Sequence, residues 1–284
     1  MNPLVIAIDS STTATKAIVV DTEGKVLALG RQDIDLLSPE QGFGEHDPRQ
    51  WWTSTRDAVA QALAQLTPAE KERIAAFGIT HQRESFAPFA ADGTPLRNGI
   101  LWLDIRAADQ VQRYGAPEIH TLSGRPADVT PGLYKMAWLK ENEPESLAKA
   151  DKVTTVSAYI AFCLTGKWVD SAACADSLSL SNIKTLEYDD GLLEIAGVRR
   201  EQMADLVKPG QVLGTLKKSI AEEWGIAEIP IVAGCGDGQA AGVGAAAVTP
   251  DVAYLNMGTA VNAGVTSPEY QSSGVLTSLP SPCF

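Results

Sequence analysis

The first thirty residues contain three short apolar runs separated by turns, and this pattern restricts the fold more than any other feature. Leu4 to Ile8 is a continuous apolar run that ends at Asp9, and Ala17 to Val20 is a second run. A polar turn ending at Gly24 leads to a third run, from Val26 to Leu29. Apolar and β-branched runs joined by such turns predict antiparallel strands. The chain therefore begins as a three-stranded sheet.

Helices and strands alternate along the rest of the chain. Asp47, Pro48 and Gln50 predict a helix start with a capping box, and apolar residues continue at helical spacing to about residue 66. The stretch after Arg106 is predicted to be mainly helical to about residue 225, with an Ala- and Ser-rich loop or irregular strand over 168–183. Further strands are predicted at residues 74–80, 99–103, 229–233 and 253–256, and a helix at 239–247. This order predicts a mixed-sheet α/β fold.

A new strand pattern begins near residue 249 and extends only to the last residue, 284. An isolated hairpin is only marginally stable in water. We therefore expect one domain over residues 1–248 and the beginning of a second, truncated domain over residues 249–284.

Composition excludes several classes of protein. The 284 residues include 35 acidic and 23 basic side chains, which gives a formal charge of −12. Such a surface repels nucleic acids and anionic lipids, so we expect neither as a partner. No run reaches the ~18 apolar residues of a membrane helix, and the N-terminus lacks the basic region of a signal peptide. The four cysteines and three histidines show no zinc spacing, so we expect a cytoplasmic protein with free thiols.

Three strand ends carry small, hydroxyl or acidic residues that suit phosphate binding. They are residues 9–16, 234–238 and 258–259. Small residues let backbone N–H groups approach phosphate oxygens, and hydroxyls add further donors. Each tip alone is typical of an ordinary turn. Together, and with Asp9 and Asp237 in two of them, they favour a phosphate and Mg²⁺ site.

Asp237 is the strongest candidate for a catalytic residue. It lies between two glycines, after a predicted buried strand and at the start of a predicted helix. A carboxylate held there stays ionised and can accept a proton from a substrate. The structural alternative is a helix N-cap.

Two charged segments that follow other strands suit a polyol. Arg83 and Glu84 supply a donor and an acceptor side by side, as vicinal hydroxyls require, with a surface ion pair as the alternative. Trp102 and Asp104, followed by Arg106, place an aromatic ring beside a second charged pair. A tryptophan is also a common core residue, so burial is the alternative for Trp102.

The glycine loop at 234–238 also permits a dinucleotide interpretation. Its glycines follow a predicted strand, but their spacing departs from the Gly-x-Gly-x-x-Gly pattern. The next strand ends at Asn256 rather than at an acidic residue that could bind a ribose. An oxidoreductase is therefore the weaker alternative.

The ordered motifs resemble those of the FGGY family of carbohydrate kinases, which includes glycerol kinase, xylulokinase and gluconokinase. The segments that carry the resemblance follow the family's order along nearly the whole chain. They are the first phosphate motif, Asp9 to Lys16; Gly42 to Pro48 with Trp51 and Trp52; Ile79 to Glu84; Leu133 to Asn142; the loop of the catalytic aspartate, Gly234 to Gly242; and the second phosphate motif, Asn256 to Thr259. Their order and spacing together are specific.

The resemblance implies an actin-like, ribonuclease-H-type fold, with helices on both faces of a mixed sheet and a cleft between two domains. It implies a kinase that transfers phosphate from ATP, with Mg²⁺, to a sugar or polyol, and a homodimer is the expected assembly. Asp237 is implied as the general base, and Asp9 and Asp237 as Mg²⁺ residues acting partly through water. The implied phosphate contacts are Thr12, Thr13, Lys16, Gly258 and Thr259. The implied substrate contacts are Arg83, Glu84, Trp102, Asp104 and Asp237.

Two positions depart from the family pattern. Ser11 stands where the first phosphate motif has glycine, and Thr130 stands about where glycerol kinases have a substrate-binding tyrosine. We therefore expect a larger polyol, a ketose or an aldonate rather than glycerol. The family's second domain, with its glycine-rich adenosine motif, extends beyond this chain. A sugar-binding protein without catalysis is accordingly the alternative.

Overall fold

The structure is a computed structural model that describes residues 2–257 and 261–268. Its strands are β1 Leu4–Ser10, β2 Ala14–Asp21, β3 Val26–Asp33, β4 Glu45–His46, β5 Ile74–His81, β6 Phe86–Phe89, β7 Gly99–Ile100, β8 Lys152–Thr155, β9 Val169–Ser171, β10 Ser181–Asn182, β11 Glu187–Tyr188, β12 Asp205–Val207, β13 Val212–Thr215, β14 Pro230–Val232, β15 Ala253–Met257 and β16 Val261–Val265. Its α-helices are α1 Arg49–Leu63, α2 Pro68–Lys71, α3 Ala108–Tyr114, α4 Pro117–Ser123, α5 Gly132–Asn142, α6 Pro144–Ala148, α7 Val156–Thr165, α8 Ala172–Ala175, α9 Asp190–Ala196, α10 Lys218–Trp224 and α11 Asp237–Gly244. Short 3₁₀ helices cover Asp176–Leu178 and Arg200–Gln202. None of these helices combines the length and the apolar character needed to cross a bilayer.

The largest sheet has six strands in the order β13-β14-β5-β1-β2-β3. β1, β2 and β3 pair antiparallel through their short turns, whereas β5 pairs parallel with β1. Parallel pairing requires a crossover connection, and α1 provides it between β3 and β5. β14 then pairs parallel with β5, and β13 pairs antiparallel with β14. The predicted mixed sheet is confirmed.

Three parallel strands of this sheet end in line. Ser10, the last residue of β1, lies opposite His81, the last residue of β5. His81 in turn forms a parallel bridge with Gly236, just beyond β14. Because the carboxyl ends of parallel strands lie at one edge of a sheet, the segments after these strands emerge side by side.

One face of the six-stranded sheet carries the larger hydrophobic core. Leu4, Ile6 and Ile8 alternate along β1 and are all buried on this face. Side chains of α1, α7 and α10 belong to the same apolar cluster. Within it, Trp224 of α10 stacks on Phe77 of β5, with the ring centroids 6.1 Å apart. This packing holds the three helices against the sheet.

A second core forms around a smaller sheet with the order β4-β7-β6-β8. Phe86, Ile100 and Val153 from its strands pack with Leu133 of α5 and Leu192 of α9. The prediction of a mainly helical stretch up to residue 225 is only partly right, because β8 to β13 also lie there. These strands are two to four residues long, too short for an alternating pattern to be recognised.

Two local predictions are wrong in detail. The expected capping box does not form, because Pro48 is the N-cap of α1 and Gln50 exchanges hydrogen bonds with Asp35 instead. The first tip is shorter than the predicted stretch 9–16, because both strands extend into it and leave residues 11–13 as the turn. In the first case a contact with a residue outside the motif changes the local geometry, and in the second the pairing of Asp9 with Lys16 and of Ser10 with Thr15 lengthens the strands.

The close packing of β3 on α1 makes Gly30 a test of the larger core. A Cβ at Gly30 would lie 1.9 Å from the carbonyl oxygen of Ala58, a backbone atom that cannot rotate away. We expect Gly30→Ala to lower the free energy of unfolding by about 2 kcal/mol, as overpacking does. Gly78→Ala in β5 is the control, since a Cβ there meets no described atom within 4 Å. Urea unfolding measures both, and equal losses would contradict the packing argument.

Candidate active site

The edge at which β1, β5 and β14 end holds two carboxylates, Asp9 and Asp237. Asp9 lies one residue before the end of β1, and strand alternation turns its side chain to the face opposite Ile8. Its Oδ1 atom is buried and has no hydrogen-bond partner among the described residues. Burial, and then the charge of Asp237, raise the pKa of Asp9, whereas its cross-strand neighbour Lys16 lowers it. Asp237 therefore lies close enough to Asp9 for its charge to act on that carboxyl.

This pair of carboxylates fits a magnesium site that a ligand completes. In the described part of the chain, no group of three or more His, Cys, Asp or Glu side chains could hold a metal ion by itself. Mg²⁺ typically takes one or two carboxylates and fills its other positions with water and substrate phosphates. The buried, unpartnered oxygen of Asp9 is an atom that a hydrated cation would satisfy.

Asp237 is positioned by the loop that precedes it, residues 234–236. Gly234 lies so close to β5 that a Cβ would come within 2.0 Å of a backbone carbonyl oxygen. The hydroxyl groups of Thr80 and Ser171 donate to carbonyl oxygens of this loop at 2.8 and 2.6 Å. The loop is therefore held by close packing against the backbone of β5 and by hydrogen bonds from the hydroxyls of Thr80 and Ser171.

Asp237 is the first residue of α11, and Gly236 is the N-cap. The alternative that Asp237 is the N-cap is therefore wrong. Its carboxylate accepts a hydrogen bond of 2.7 Å from the N–H of Gly238. The residue is exposed, yet the surrounding protein displaces enough water to raise the pKa of its carboxyl, against the lowering effects of Gly238 and Arg83. An accessible carboxyl with a raised pKa is suited to accept a proton from a ligand.

Arg83 lies beside this loop and is held by Asp176. One terminal nitrogen of the guanidinium is 2.7 Å from both carboxylate oxygens of Asp176. The Arg83 side chain also occupies the space next to Gly236, where a Cβ would be 2.1 Å from its Cδ. The alternative of a surface ion pair between Arg83 and Glu84 is wrong, because Arg83 is only 10% exposed and forms its ion pair with Asp176.

Glu84 follows in an unusual backbone conformation. Its φ of +61° lies in the left-handed region, which a side chain of this size rarely adopts. Its N–H donates to the hydroxyl of Ser177 at 3.1 Å. Burial raises the pKa of Glu84 to about 7, although Arg83 and Lys135 act to lower it. The site therefore contains a carboxyl group that titrates near neutral pH.

Thr12, in the turn between β1 and β2, connects that turn to Trp102. The indole N–H of Trp102 donates to Thr12 Oγ1 at 2.9 Å, and Thr12 donates to Gln82 Oε1 at 3.3 Å. Trp102 is 40% exposed, so the alternative of a core tryptophan is wrong. Thr13 and Lys16 are exposed on the same hairpin. The structure thus brings the predicted phosphate turn and a predicted sugar-binding ring together.

Asp104 lies in a separate buried network. Its carboxylate accepts hydrogen bonds from the N–H of Gly44 at 2.7 Å and from three nitrogens of Arg106 at 2.7 to 2.9 Å. Arg106 also donates to Glu45 at 2.7 Å and lies over the ring of Phe43. Both oxygens of Asp104 are therefore occupied by donors of the protein. Its substrate-binding role stays a prediction that this geometry does not favour.

Gly258 and Thr259, the predicted second phosphate tip, lie outside the described residues. The strand prediction before them is confirmed, because β15 covers Ala253–Met257. Their contact with phosphates stays a prediction.

Sequence reasoning misses Asp176 and Ser177, which contact Arg83 and Glu84. Both lie in a 3₁₀ helix inside the stretch 168–183 that is predicted as loop. The available signal is a lone carboxylate after four small residues, since a charge in such surroundings must be paired. Its partner, 93 residues away, cannot be identified without the fold.

Residues 4–244 match the N-terminal domain of the FGGY family of carbohydrate kinases. Among curated proteins, the chain is similar to the glycerol kinase of Thermococcus onnurineus, with 33% identity over 266 residues. That alignment covers 91% of this chain and 53% of the glycerol kinase. The chain spans about half the length of the curated relatives it matches.

Two solved structures from Lactobacillus acidophilus have the same fold. A xylulose kinase superimposes with a TM-score of 0.88 and 29% identity over 96% of this chain and 56% of its own. A gluconate kinase gives a TM-score of 0.86 and 29% identity over 92% of this chain and 53% of its own. These matches confirm the predicted actin-like α/β fold. They favour the phosphate interpretation of the glycine loop over the dinucleotide one.

The pKa of Glu84 has a consequence for stability. It is raised from 4.5 in an unperturbed carboxyl to about 7 in the folded protein, so the folded state binds more protons between these values. The stability contributed by this group therefore falls as pH rises through that window. We expect the free energy of unfolding of Glu84→Gln, relative to that of the wild type, to increase by about 2 kcal/mol as the pH is raised from 5 to 8. Urea unfolding at both pH values measures this, and a pH-independent difference would contradict it.

Proposed function

The chain belongs to the FGGY family of carbohydrate kinases, and we propose that it forms the acceptor-binding and catalytic half of an ATP-dependent sugar or polyol kinase. The observation that carries this proposal is the shared edge of β1, β5 and β14. There Asp237 lies close enough to Asp9 for its charge to raise the pKa of Asp9, and Arg83 lies beside the loop of Asp237. This combination suits the activation of a hydroxyl group next to a metal-bound phosphate.

Each residue has a distinct role in this proposal. ATP would supply the γ-phosphoryl group, and Mg²⁺ would offset the charge of its phosphates. Asp237 accepts the proton of the attacking hydroxyl, for which its raised pKa makes it a better base. Asp9 holds the hydrated cation, and Thr12, Thr13 and Lys16 face the phosphates from the hairpin. The protein contributes positioning and charge, with little covalent chemistry.

The acceptor would bind between Arg83, Glu84 and the exposed ring of Trp102. Arg83 donates to hydroxyls, Glu84 accepts from them, and the ring offers an apolar surface to a sugar face. We infer a larger polyol, a ketose or an aldonate, because Thr130 leaves more space than a tyrosine. The similarity to a xylulose kinase and a gluconate kinase supports this substrate class, whereas the similarity to a glycerol kinase supports glycerol, so all three acceptors are tested.

We further infer a domain boundary between residues 248 and 249. Both the family match and α11 end at residue 244, which supports this position. The hairpin of β15 and β16 would then belong to the ATP-binding domain. The homodimer and the cytoplasmic location remain predictions.

Asp237→Asn tests the proposed base. The substitution keeps the shape of the side chain but removes a group that can take up a proton at neutral pH. We expect the rate of phosphoryl transfer to fall at least about 100-fold, with a much smaller change in sugar affinity. ADP formation from MgATP with D-xylulose, D-gluconate or glycerol measures the rate in a full-length version that carries the ATP-binding half. Asp109→Asn, on the exposed side of α3, is the matched control.

The outcomes separate the alternatives. A normal rate in Asp237→Asn would show that another group is the base. A wild-type chain that is stabilised by a sugar in a thermal melt, yet supports no ADP formation when the ATP-binding half is also present, would indicate a sugar-binding protein without catalysis. Stabilisation by NAD alone would overturn the kinase proposal.

A further inference from the structure

One short turn contacts both residues that are proposed to bind the acceptor. The 3₁₀ helix Asp176–Leu178 lies far from the 82–84 segment in sequence but touches it through two consecutive side chains. Asp176 holds the guanidinium of Arg83, and Ser177 accepts the N–H of Glu84. We call these two residues the 176–177 turn.

The contact with Asp176 fixes the direction of a flexible side chain. Both oxygens of Asp176 lie 2.7 Å from one nitrogen of Arg83, and Asp176 is 1% exposed. An arginine without such a partner has several rotatable bonds free and loses that freedom when a ligand binds. Because Arg83 also packs next to Gly236, its position is set on both sides before any ligand arrives.

A second guanidinium shares the same carboxylate. Arg125 donates to Asp176 Oδ2 at 2.8 Å and is itself 1% exposed. Two buried guanidinium groups therefore share one carboxylate, and a single negative charge cannot neutralise both of them. Arg83 thus retains positive character toward the oxygen atoms of an acceptor.

Ser177 supports the strained backbone of Glu84. Its hydroxyl accepts the Glu84 N–H at 3.1 Å and donates to the carbonyl oxygen of Cys174 at 2.8 Å. The hydroxyl therefore ties the left-handed conformation of Glu84, with φ of +61°, to α8. Strained backbone persists when its surroundings over-determine it, and this contact is one such restraint.

We propose that Asp176 and Ser177 are positioning residues that pre-organise Arg83 and Glu84 and thereby set the affinity for the sugar or polyol acceptor. This inference rests on the proposed function, in which Arg83 and Glu84 bind acceptor hydroxyls. The turn itself does not touch the reacting atoms in this assignment. Its effect is expected on acceptor binding, because pre-organisation lowers the entropy lost by the side chains on binding.

Asp176→Asn and Ser177→Ala test the proposal in the full 284-residue chain. D-xylulose, D-gluconate and glycerol are titrated by calorimetry, and the sugar that the wild type binds most tightly is used. We expect Asp176→Asn to raise its Kd at least tenfold and Ser177→Ala about threefold. Ser179→Ala is the control, since Ser179 is equally buried and its hydroxyl donates to the hydroxyl of Ser123. We expect that variant to stay within twofold of the wild type.

A second measurement needs no ligand. Nitrogen-15 spectra of the arginine side chains, assigned with Arg83→Lys, report whether the Arg83 guanidinium is held or rotates freely. We expect hindered rotation in the wild type and free rotation in Asp176→Asn, with a folded protein by circular dichroism.

The two measurements separate the proposals. An unchanged sugar Kd in folded Asp176→Asn would overturn the positioning role while leaving the kinase proposal intact. If the wild type binds none of D-xylulose, D-gluconate and glycerol, the acceptor assignment fails. The arginine spectra alone then decide whether the 176–177 turn holds Arg83. Equal mobility of the Arg83 guanidinium in the wild type and in Asp176→Asn would overturn the positioning role of the 176–177 turn.

Discussion

The parallel pairing of β1 with β5, and of β5 with β14, is the constraint on which the candidate site depends. The register that places Ser10 beside His81, and His81 beside Gly236, makes three distant segments leave the sheet at one edge. Asp9 and Asp237 are 228 positions apart in the chain and interact only because of this register. Slipping β1 by one residue would turn Asp9 toward the core and destroy the arrangement.

The carboxylates at this edge of the sheet differ in the charged groups that surround them. Asp176 is surrounded by two guanidinium groups, so its ionised form is stabilised in a buried place. Asp9 has no comparable partner, and both burial and Asp237 raise its pKa. Asp176 is thus paired with two cations, whereas the pKa values of Asp9 and Asp237 are raised. A cation and its phosphate ligands would fit at Asp9 and Asp237.

The two hydrophobic cores meet at this site. The 82–84 segment follows β5 of the six-stranded sheet, whereas the 176–177 turn precedes Leu178 of the second core. The ion pair between Arg83 and Asp176 therefore joins a segment that follows a strand of the larger core to a turn that precedes a residue of the second core. Trp102 makes a similar connection, because it follows β7 of the smaller sheet and donates to Thr12 of the first hairpin. These contacts couple the position of the acceptor residues to the phosphate turn.

The sequence by itself determined the elements whose signals are local. The apolar runs predicted β1, β2 and β3. The glycine-flanked Asp237 and the Arg83-Glu84 pair were recognised as residues at strand ends. Both predictions succeed because strands and turns depend on neighbouring residues in the sequence. Family motifs extended this to the fold class. Only the tertiary structure decided the long-range pairings: it joined Arg106 to Glu45, gave Gln50 to Asp35 and joined Asp176 to Arg83. Such partners lie far apart in the chain, and their pairing follows from strand register and core packing, which no local pattern encodes.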